Sequence, residues 1–424
     1  MKPLLWSPLF ALALAGCAGQ NAVETTPLAL ATDSGAHLQN AQLSADAATN
    51  GNPFGLSVPK GFSVSVFAEG LDRPRRIAVV PNPAQKRGFD LLVSQSYVGN
   101  VILLRDSTGA GRADQKFEFA SGLNQPYGIA FRPGQVYLAG TDAVYRFPFV
   151  AGQTKVAGEG QKIVDLTRGG YNNHWTHNLL FDKTGNKLFV TVGSSCNVCE
   201  ESDPQRAAIS VMNPDGSDKR LFATGMRNPI GIAWRPNTNQ LWTVVNERDL
   251  LGDDVPPDYF TSVQPNHFYG WPYAYTGADR KVVPDPTFGA KNPAKVAGTT
   301  PPDVPVQAHS AALGVVFYPP SGGNFPREYR GDAFLSFHGS WNRSNPTGYK
   351  IVRVHNPGPN AQVSDFVSGF LKSDGSKWGR PVDIQLAPDG SLLFSDDQGG
   401  KIWRVSYTGS QPARSATAPG KKVS

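Results

Sequence analysis

Residues that could bind an anion and accept a proton occupy equivalent places in a repeated phrase. The phrase is clearest in "GLNQPYGIAFRPGQVYLAGTD" and "GMRNPIGIAWRPNTNQLWTVVNERD", where polar residues precede an apolar, strand-like run. The polar residues at such places, together with those of "FHGSWNR", are Asn124, Gln125, Asn173, His174, Arg227, Asn228, Arg380, His338, Asn342 and Arg343. A guanidinium pairs with a carboxylate through two parallel hydrogen bonds, and an imidazole can accept a proton near neutral pH. These residue types therefore predict a pocket for an anionic ligand that contains one base.

Three tryptophans flank the same phrases and indicate that the anion is flat. They are Trp175, Trp341 and Trp378. Each candidate also has a structural interpretation: an arginine can cap strand-end carbonyls, His174 and His177 can be satisfied core histidines, and a tryptophan can pack between sheets. The residues alone therefore predict a binding site for a flat polyanion, and they do not predict a reaction.

These residues meet only if the repeated phrase is a repeated structural unit. Six units can be aligned, beginning near "LDRPRRIAVV", "LNQPYGIAF", "HWTHNLLF", "MRNPIGIAW", "AALGVVFYPP" and "GRPVDIQLA". Each has an apolar strand, a turn rich in Pro, Gly or Asn, a second apolar strand and a later strand such as VYRF or IWRV. Units of about 60 residues suit propeller blades with insertions. The sequence thus predicts an all-β, six-bladed β-propeller, favoured over a β-sandwich or an open array because the units are equivalent.

In a closed ring, the residues that head the units face the central channel at one end. The propeller domain is predicted to span residues 53–410, followed by a disordered tail at 411–424. A stretch rich in Pro, Tyr and Asp at 250–309 is predicted to be a long insertion between strands of the fourth blade. Long loops on a rigid scaffold usually carry function or cover a site.

The charge of the chain excludes one class of partner. Its 424 residues carry a formal net charge of +6, and long Lys/Arg runs are absent apart from a terminal KK. A nucleic-acid-binding surface requires clustered basic residues, so nucleic acid is not a predicted partner.

The N-terminus predicts export. In "MKPLLWSPLFALALAGC" one Lys precedes an apolar run too short to span a bilayer, and the L-A-G-C ending resembles the lipobox of bacterial lipoproteins. This resemblance implies that residues 1–17 are a lipoprotein-type signal peptide, that Cys17 is lipidated, and that the protein is a periplasmic, outer-membrane lipoprotein. The alternative is an ordinary signal with Cys17 incidental. Residues 18–52 lack periodicity and are predicted to be a flexible tether.

Two further cysteines, Cys196 and Cys199, lie in "SSCNVCEE". In an exported protein such a pair is most simply a local disulfide, although two free thiols remain an alternative. Haem attachment would need a His where Glu200 stands, and a zinc site would need a second pair of ligands.

Four longer segments carry a family resemblance. They are "NNHWTHNLLFDKTGNKLFVTVGSSCNVCEESDPQRAAI", "GMRNPIGIAWRPNTNQLWTVVNERDLLGDDVPPDY", "NHFYGWPYAY" and "SFHGSWNRSNPTGYKIVRV". Together they resemble the sorbosone/glucose dehydrogenase family over residues 54–408, on its sorbosone dehydrogenase-like branch. Members are six-bladed propellers that use pyrroloquinoline quinone (PQQ) and Ca2+. The resemblance implies that His174 is the general base, taking the proton of a substrate hydroxyl as hydride passes to PQQ.

The same resemblance assigns further roles. Arg227, Asn228 and Arg380 match cofactor-contacting residues. The family's cofactor-contacting lysine is replaced within "FHGSWNR", where His338 or Gly339 is at the equivalent place and Arg343 is a candidate to compensate for the lost cation. Asn173 matches a substrate-contacting position, and Asn124 and Gln125 are assigned to the substrate with it. The backbone carbonyls of Glu247 and Arg248 match the calcium ligands, although the soluble glucose dehydrogenases have Gly-Pro there.

The sequence therefore predicts a periplasm-facing quinoprotein dehydrogenase that is anchored to the membrane by a lipid. It would oxidise a small sugar, sugar aldehyde or related polyol and pass electrons to a quinone or a cytochrome. Two alternatives stay open, because propellers host many activities. One is a calcium-dependent, lactonase-type hydrolase, which would need carboxylates converging on a central metal. The other is a non-catalytic propeller that acts as a binding protein.

Overall fold

The computed structural model describes residues 54–82, 85–167 and 174–409, which are almost entirely β. The strands in chain order are β1 (Phe62–Ala68), β2 (Ile77–Val79), β3 (Phe89–Gln95), β4 (Asn100–Asp106), β5 (Gln115–Ala120), β6 (Ile129–Arg132), β7 (Gln135–Ala139), β8 (Ala143–Pro148), β9 (Gln161–Asp165), β10 (Leu179–Phe181), β11 (Leu188–Val192), β12 (Ala208–Met212), β13 (Arg220–Thr224), β14 (Asn228–Trp234), β15 (Leu241–Asn246), β16 (Tyr259–Val263), β17 (Ala274–Thr276), β18 (Val282–Pro284), β19 (Val304–Pro305), β20 (Ala312–Phe317), β21 (Ala333–Phe337), β22 (Lys350–His355), β23 (Gln362–Val367), β24 (Pro381–Leu386), β25 (Leu392–Asp396) and β26 (Lys401–Tyr407). The described residues also contain one α-helix, α1 (Pro293–Ala297), and single turns of 3-10 helix at Gly289–Lys291 and Arg327–Tyr329.

Six four-stranded antiparallel sheets form the blades of a propeller. Blades one, two, three and five are β2–β5, β6–β9, β10–β13 and β20–β23. The fourth blade is β14, β15, β16 and β19, and the sixth is β24, β25 and β26 with β1 as its outermost strand. The inner strands β2, β6, β10, β14, β20 and β24 contact one another in that order, and β24 contacts β2. The ring is closed, and the predicted all-β, six-bladed β-propeller is confirmed.

Ring closure depends on a strand that the repeat does not reveal. β1 pairs antiparallel with β26, with Phe62 opposite Tyr407. Since β1 precedes the first repeated unit, the units alone leave the sixth blade one strand short. A buried salt bridge at 2.7 Å between Arg76 and Asp383 reinforces the same junction from the side of the channel.

Apolar residues on both faces of the strands hold the blades together. The second strands β11 and β21 are buried along their whole length, as expected for a sheet packed on both sides. At the junction of the first and sixth blades, Ile77 and Leu91 pack in one cluster with Leu393. Burial of each such side chain contributes about 1.5–3 kcal/mol. This packing fixes the strand ends and hence the turns at the mouth of the channel.

The insertion of the fourth blade is shorter than predicted. β16 and β19, the third and fourth strands of that blade, lie within the predicted insertion 250–309. The insertion proper runs from 264 to 303 and contains the hairpin β17–β18 and α1. The correction has a local reason: "YFTSV" is a strand of only 5 residues between stretches rich in Pro and Asp, which obscure its pattern.

The helical content of the described residues is confined to short turns. α1 has 5 residues, and no helix in 54–82, 85–167 or 174–409 is long and apolar enough to cross a membrane.

Candidate functional site

A cavity of about 400 Å³ opens at one end of the channel. In an antiparallel blade, the start of the first strand and the end of the second lie at the same edge. The residues that precede inner strands and line the cavity are Arg75, His174, Trp175, Arg227, His309 and Arg380. Those that follow second strands and line it include Tyr97, Glu247, His338 and Asp397. Five of the six blades therefore contribute a residue from the start of an inner strand.

His174 is held in one tautomer. Its Nδ1 lies 2.9 Å from the Ser194 hydroxyl oxygen and 3.3 Å from the Ser194 carbonyl oxygen. That hydroxyl already donates its hydrogen to the Cys196 carbonyl at 2.7 Å, so both oxygens accept from Nδ1. Nδ1 therefore carries the hydrogen, and Nε2 is the basic nitrogen of the neutral ring.

Burial, and then the charge of Arg227, lower the pKa of His174 to about 3. From its residue type, His174 was predicted to have a pKa near the working pH. The difference arises because the ring is 6% exposed and lies beside a cation, both of which disfavour imidazolium. The ring is consequently neutral, and able to accept a proton, at any ordinary pH.

Gly193 allows His174 and Asn228 to approach each other. A Cβ at this position would lie 2.3 Å from Asn228 Oδ1 and 3.1 Å from His174 Cβ. Asn228 Oδ1 is buried and accepts no hydrogen bond within the described part of the chain. This oxygen is therefore an unsatisfied acceptor that lies directly beside Gly193.

The three arginines of the wall are held differently. Arg227 pairs with Asp249 at 2.7 Å and donates to the Glu247 carbonyl at 2.6 Å. Arg75 pairs with Asp397 at 2.7 Å. Arg380 donates to two backbone carbonyls, those of His338 at 3.1 Å and Gly339 at 3.2 Å. Among the described residues, Arg380 is therefore the cavity guanidinium without a carboxylate hydrogen-bonded to it.

His338 and Asp397 connect the fifth and sixth blades. His338 Nε2 lies 3.0 and 3.1 Å from the two Asp397 carboxylate oxygens. Burial alone would raise the pKa of the Asp397 carboxyl, but His338 and Arg75 hold it well below its usual range. Asp397 is thus ionised and fixes two cavity side chains at once.

The wall contributed by the fourth blade is acidic. Burial raises the pKa of Glu247 to about 7 and that of Asp258 to about 6. Asp258 accepts from the backbone N–H groups of Glu247 at 2.9 Å and Ala311 at 2.8 Å. The Glu247 carbonyl accepts from Arg227 and retains a second lone pair. The Arg248 guanidinium points into the insertion, where it pairs with Asp285. Oxygen donors of this kind suit a hard divalent cation.

The structure brings together part of the set predicted from the sequence. His174, Arg227, Asn228, Arg380, His338, Asn342 and Glu247 line one cavity. Asn124, Gln125, Arg248 and Arg343 do not line it. Asn124 is exposed and its carbonyl accepts from the Thr141 N–H, whereas Arg343 pairs with Asp254 at 2.8 Å on the rim. Asn173 and Cys17 lie outside the described residues.

Sequence reasoning missed Arg75, His309, Asp249, Asp258 and Asp397 at the cavity. A signal for Arg75 was present, because "LDRPRRIAVV" places it ahead of an inner strand as Arg227 and Arg380 are placed. Asp249 and Asp258 lie in the irregular segment between β15 and β16, which no repeat register identifies, whereas Asp397 follows β25 directly, as Glu247 follows β15.

The fold and the site define a six-bladed propeller with a charged cavity at one end of its channel. A family model described as TrAA12-like matches residues 56–408. The chain therefore belongs to the TrAA12-like family. The family resemblance read from the sequence motifs is confirmed.

Relatives and solved structures agree with this assignment. The chain is 32% identical over 370 residues to an uncharacterised protein of Borreliella burgdorferi, covering 83% of this chain and 91% of that protein. It is 24% identical over 417 residues to a pyrroloquinoline quinone-dependent pyranose dehydrogenase of Coprinopsis cinerea, covering 82% of this chain and 54% of the dehydrogenase. The calcium structure of a Trichoderma reesei enzyme of carbohydrate-active enzyme family AA12 matches with a TM-score of 0.70 and 21% identity, covering 83% of this chain and 97% of that one. The chain spans about half the length of the pyranose dehydrogenase.

Proposed function

We propose that the protein is a PQQ- and Ca2+-dependent dehydrogenase that oxidises a sugar, sugar aldehyde or related polyol. The proposal is supported by the names of the relatives: a PQQ-dependent pyranose dehydrogenase and an aldose sugar dehydrogenase of Escherichia coli. The observation that carries it is the meeting of His174, Arg227 and Arg380, from three different blades, at one cavity.

The cavity fits PQQ, which is a flat quinone bearing three carboxylates. Arg380 offers a guanidinium without a hydrogen-bonded carboxylate, and Arg227 is a second cation in the same wall. Asn228 lines the same cavity, and the Trp175 ring is buried in the wall. Arg227, Asn228 and Arg380 would hold the cofactor. When bound, PQQ supplies the two-electron acceptor for the substrate hydride.

The fourth-blade wall fits Ca2+. The backbone carbonyl of Glu247, a residue that lines the cavity, would hold the ion, with the nearby carboxylate of Asp249 contributing negative charge; Arg248, the other ligand predicted from the sequence, does not line the cavity. Asp249 is kept ionised in spite of its burial: His309, whose Nδ1 lies 3.7 Å from a carboxylate oxygen, and the charge of Arg227 lower its pKa. The chemistry supplied by Ca2+ in such a site is polarisation of a carbonyl oxygen.

His174 would act as the base. Its Nε2 accepts the proton of the substrate hydroxyl or hydrate, while Ser194 holds Nδ1–H and keeps the ring oriented. The resulting imidazolium lies beside Arg227 in a buried site, which disfavours it. An anionic ligand on the arginines offsets that charge, so a bound polyanion raises the basicity of His174.

Two further parts of the proposal concern location and electron transfer. We infer that Cys17 carries a lipid and that the enzyme faces the periplasm from the outer membrane, passing electrons to a quinone or a cytochrome. The support is the L-A-G-C motif after a short apolar run. Metabolic labelling of the full chain with radioactive palmitate tests the anchor. The wild-type protein should incorporate label and Cys17→Ser should not.

A lactonase-type hydrolase is less well supported, although Asp249 and Asp258 line the cavity. Asp249 is paired with Arg227, and Asp258 accepts two backbone N–H groups. Among the described residues, the one cluster of three acidic, His or Cys ligands is Cys196, Cys199 and Glu201, away from the cavity lining. No preformed carboxylate cage is therefore found at the channel.

The test is a titration of the purified protein with PQQ, with and without Ca2+, followed by absorbance. Dye reduction with a panel of sugars and sugar aldehydes then identifies the substrate. His174→Ala should bind PQQ and lose turnover, whereas His267→Ala, at an exposed position in the insertion, should retain both. Absence of PQQ binding with and without Ca2+ would leave a non-catalytic binding propeller.

A further inference from the structure

Asn197 joins two residues of the cavity wall, Arg227 and Asp249, to Trp271 of the insertion through five hydrogen bonds. Its carbonyl accepts from Arg227 Nε and from Trp271 Nε1, each at 3.1 Å. Its side-chain oxygen accepts from Arg227 Nη2 at 3.1 Å and from the Asp249 N–H at 2.8 Å. Its amide donates to the Asp249 carbonyl at 3.1 Å. One residue of the third blade thus holds the arginine, the acidic loop after β15 and the insertion.

The preceding residue reaches the base. The Cys196 carbonyl accepts from the Ser194 hydroxyl at 2.7 Å, and that hydroxyl oxygen accepts from His174 Nδ1 at 2.9 Å. Two successive residues therefore hold both key groups of the proposed function. Cys196 holds the base His174 through Ser194, and Asn197 holds the anion-binding Arg227.

This pair lies in a segment without regular secondary structure. Residues 193–207, between β11 and β12, contain no strand or helix. Within it, the Cys196–Cys199 disulfide encloses Asn197 and Val198. A cross-link across an irregular segment restricts the conformations that its backbone can reach. Both cysteines are half-buried, and neither they nor Asn197 line the cavity.

We propose that Asn197, enclosed by the Cys196–Cys199 disulfide, is a positioning residue that holds Arg227 for cofactor binding, and that the disulfide is required for that position. The proposal deepens the proposed function and rests on it for the identity of the ligand. Arg227 lines the cavity and Asn197 does not, so Asn197 acts on a ligand through the guanidinium. Arg227 keeps its contacts to Asp249 and Glu247 when Asn197 is removed, so the loss should be partial.

The first test compares Asn197→Ala with Val198→Ala, its neighbour inside the same disulfide. The affinity for PQQ in the presence of Ca2+ should fall about 10- to 100-fold in Asn197→Ala, as for other residues that orient a ligand-binding group, and stay unchanged in Val198→Ala. Asn197→Asp keeps the side-chain acceptor for Arg227, so its affinity for PQQ should fall less than that of Asn197→Ala. Equal affinities of Asn197→Ala and Val198→Ala would overturn the proposal.

A readout on the ligand-free protein separates positioning from general structure. The Arg227 Nε–H resonance, assigned by its loss in Arg227→Lys, should shift and broaden in Asn197→Ala but not in Val198→Ala. Both variants should unfold thermally within a few degrees of each other. If the wild type binds no PQQ, the proposed function fails, and the Arg227 resonance still decides whether Asn197 positions that side chain. An unchanged resonance would exclude it.

The disulfide is tested in parallel. Tris(2-carboxyethyl)phosphine converts the disulfide to two thiols and is itself oxidised to the phosphine oxide with oxygen from water. Reduced protein, with two thiols counted per chain, and the Cys196→Ser/Cys199→Ser double variant should reproduce the affinity loss and the Arg227 shift of Asn197→Ala. The reductant should leave the double variant unchanged. Full affinity in reduced, folded protein would show that the disulfide is not required.

Discussion

Arg75 of the first blade and Asp397 of the sixth are joined at 2.7 Å on the cavity wall, and the next residue, Arg76, pairs with Asp383 behind it. Two adjacent arginines thus close the ring through two aspartates of the last blade. The inner pair is the more buried, because the Asp383 side chain is 1% exposed and that of Asp397 is 11% exposed. Asp383 also accepts from the Ile77 N–H at 3.0 Å.

Asp383→Asn should destabilise the propeller strongly. It removes the charge that pairs with Arg76 and leaves a buried guanidinium without a counterion, which typically costs about 3–5 kcal/mol. Urea unfolding followed by tryptophan fluorescence measures the change. Asp397→Asn, at the better-solvated outer pair, should cost less. A loss below about 1 kcal/mol in Asp383→Asn would mean that the inner pair does not hold the junction.

Ser194→Ala should slow turnover more than it weakens cofactor binding. The substitution removes one of the two acceptors that keep the hydrogen on His174 Nδ1. The tautomer with a basic Nε2 is then less strongly favoured. Loss of such an orienting partner typically reduces activity about 10- to 100-fold. Steady-state kinetics with saturating PQQ should therefore show a lower kcat and a nearly unchanged KM.

Ser195→Ala is the matched control for this experiment, because Ser195 is exposed and hydrogen-bonds Glu201 instead of the base. Its kcat should equal that of the wild type. If Ser194→Ala were equally active, the Ser194 hydroxyl would not orient His174.

The parts of the site that the sequence predicted correctly follow the repeat, although Arg75, which also follows it, was missed. Arg227 and Arg380 were found because each precedes an inner strand in the same register, and the closed ring brings such positions together. Arg343 was misleading: it is close in sequence to His338, but the irregular rim loop turns its side chain towards Asp254. Register fixes the turns that join strands within a blade, whereas the direction of a side chain in a long loop depends on contacts from other blades.

The same distinction explains two features of the fold. β1 completes the sixth blade from a position some 340 residues earlier in the chain, a pairing that local patterns cannot encode. Asn197 is a neutral residue in an irregular segment, and its importance comes from the Arg227 and Asp249 groups that the fourth blade brings to it. Neither residue type nor spacing identifies such a role.

The free energy of unfolding of Glu247→Gln should increase relative to that of the wild type as the pH rises. Burial raises the pKa of Glu247 from 4.5 to about 7 in the folded protein. A raised pKa contributes stability that is fully present below 4.5 and is lost as the pH rises through about 7. Gln stays neutral, so the difference in the free energy of unfolding between the variant and the wild type should change by up to about 3 kcal/mol between pH 4.5 and 8.

Urea unfolding of both proteins at several pH values in EDTA measures this difference. Glu159→Gln, at an exposed position, should give curves parallel to those of the wild type. Parallel curves for Glu247→Gln as well would mean that Glu247 is ionised in the folded protein at neutral pH.

Gly193→Ala should disturb the site with little effect elsewhere. The added methyl group would meet Asn228 Oδ1 at 2.3 Å and His174 Cβ at 3.1 Å, so either the amide or the base must move. Both line the cavity, and Gly193 lies at the end of β11, whose packing is not altered. Overpacking of this kind typically costs about 1–3 kcal/mol.

We expect a moderate loss of stability in Gly193→Ala together with loss of PQQ affinity and turnover, measured by thermal unfolding, absorbance titration and dye reduction. Wild-type affinity and turnover in Gly193→Ala would show that Asn228 and His174 need not be in contact across this glycine for the site to work.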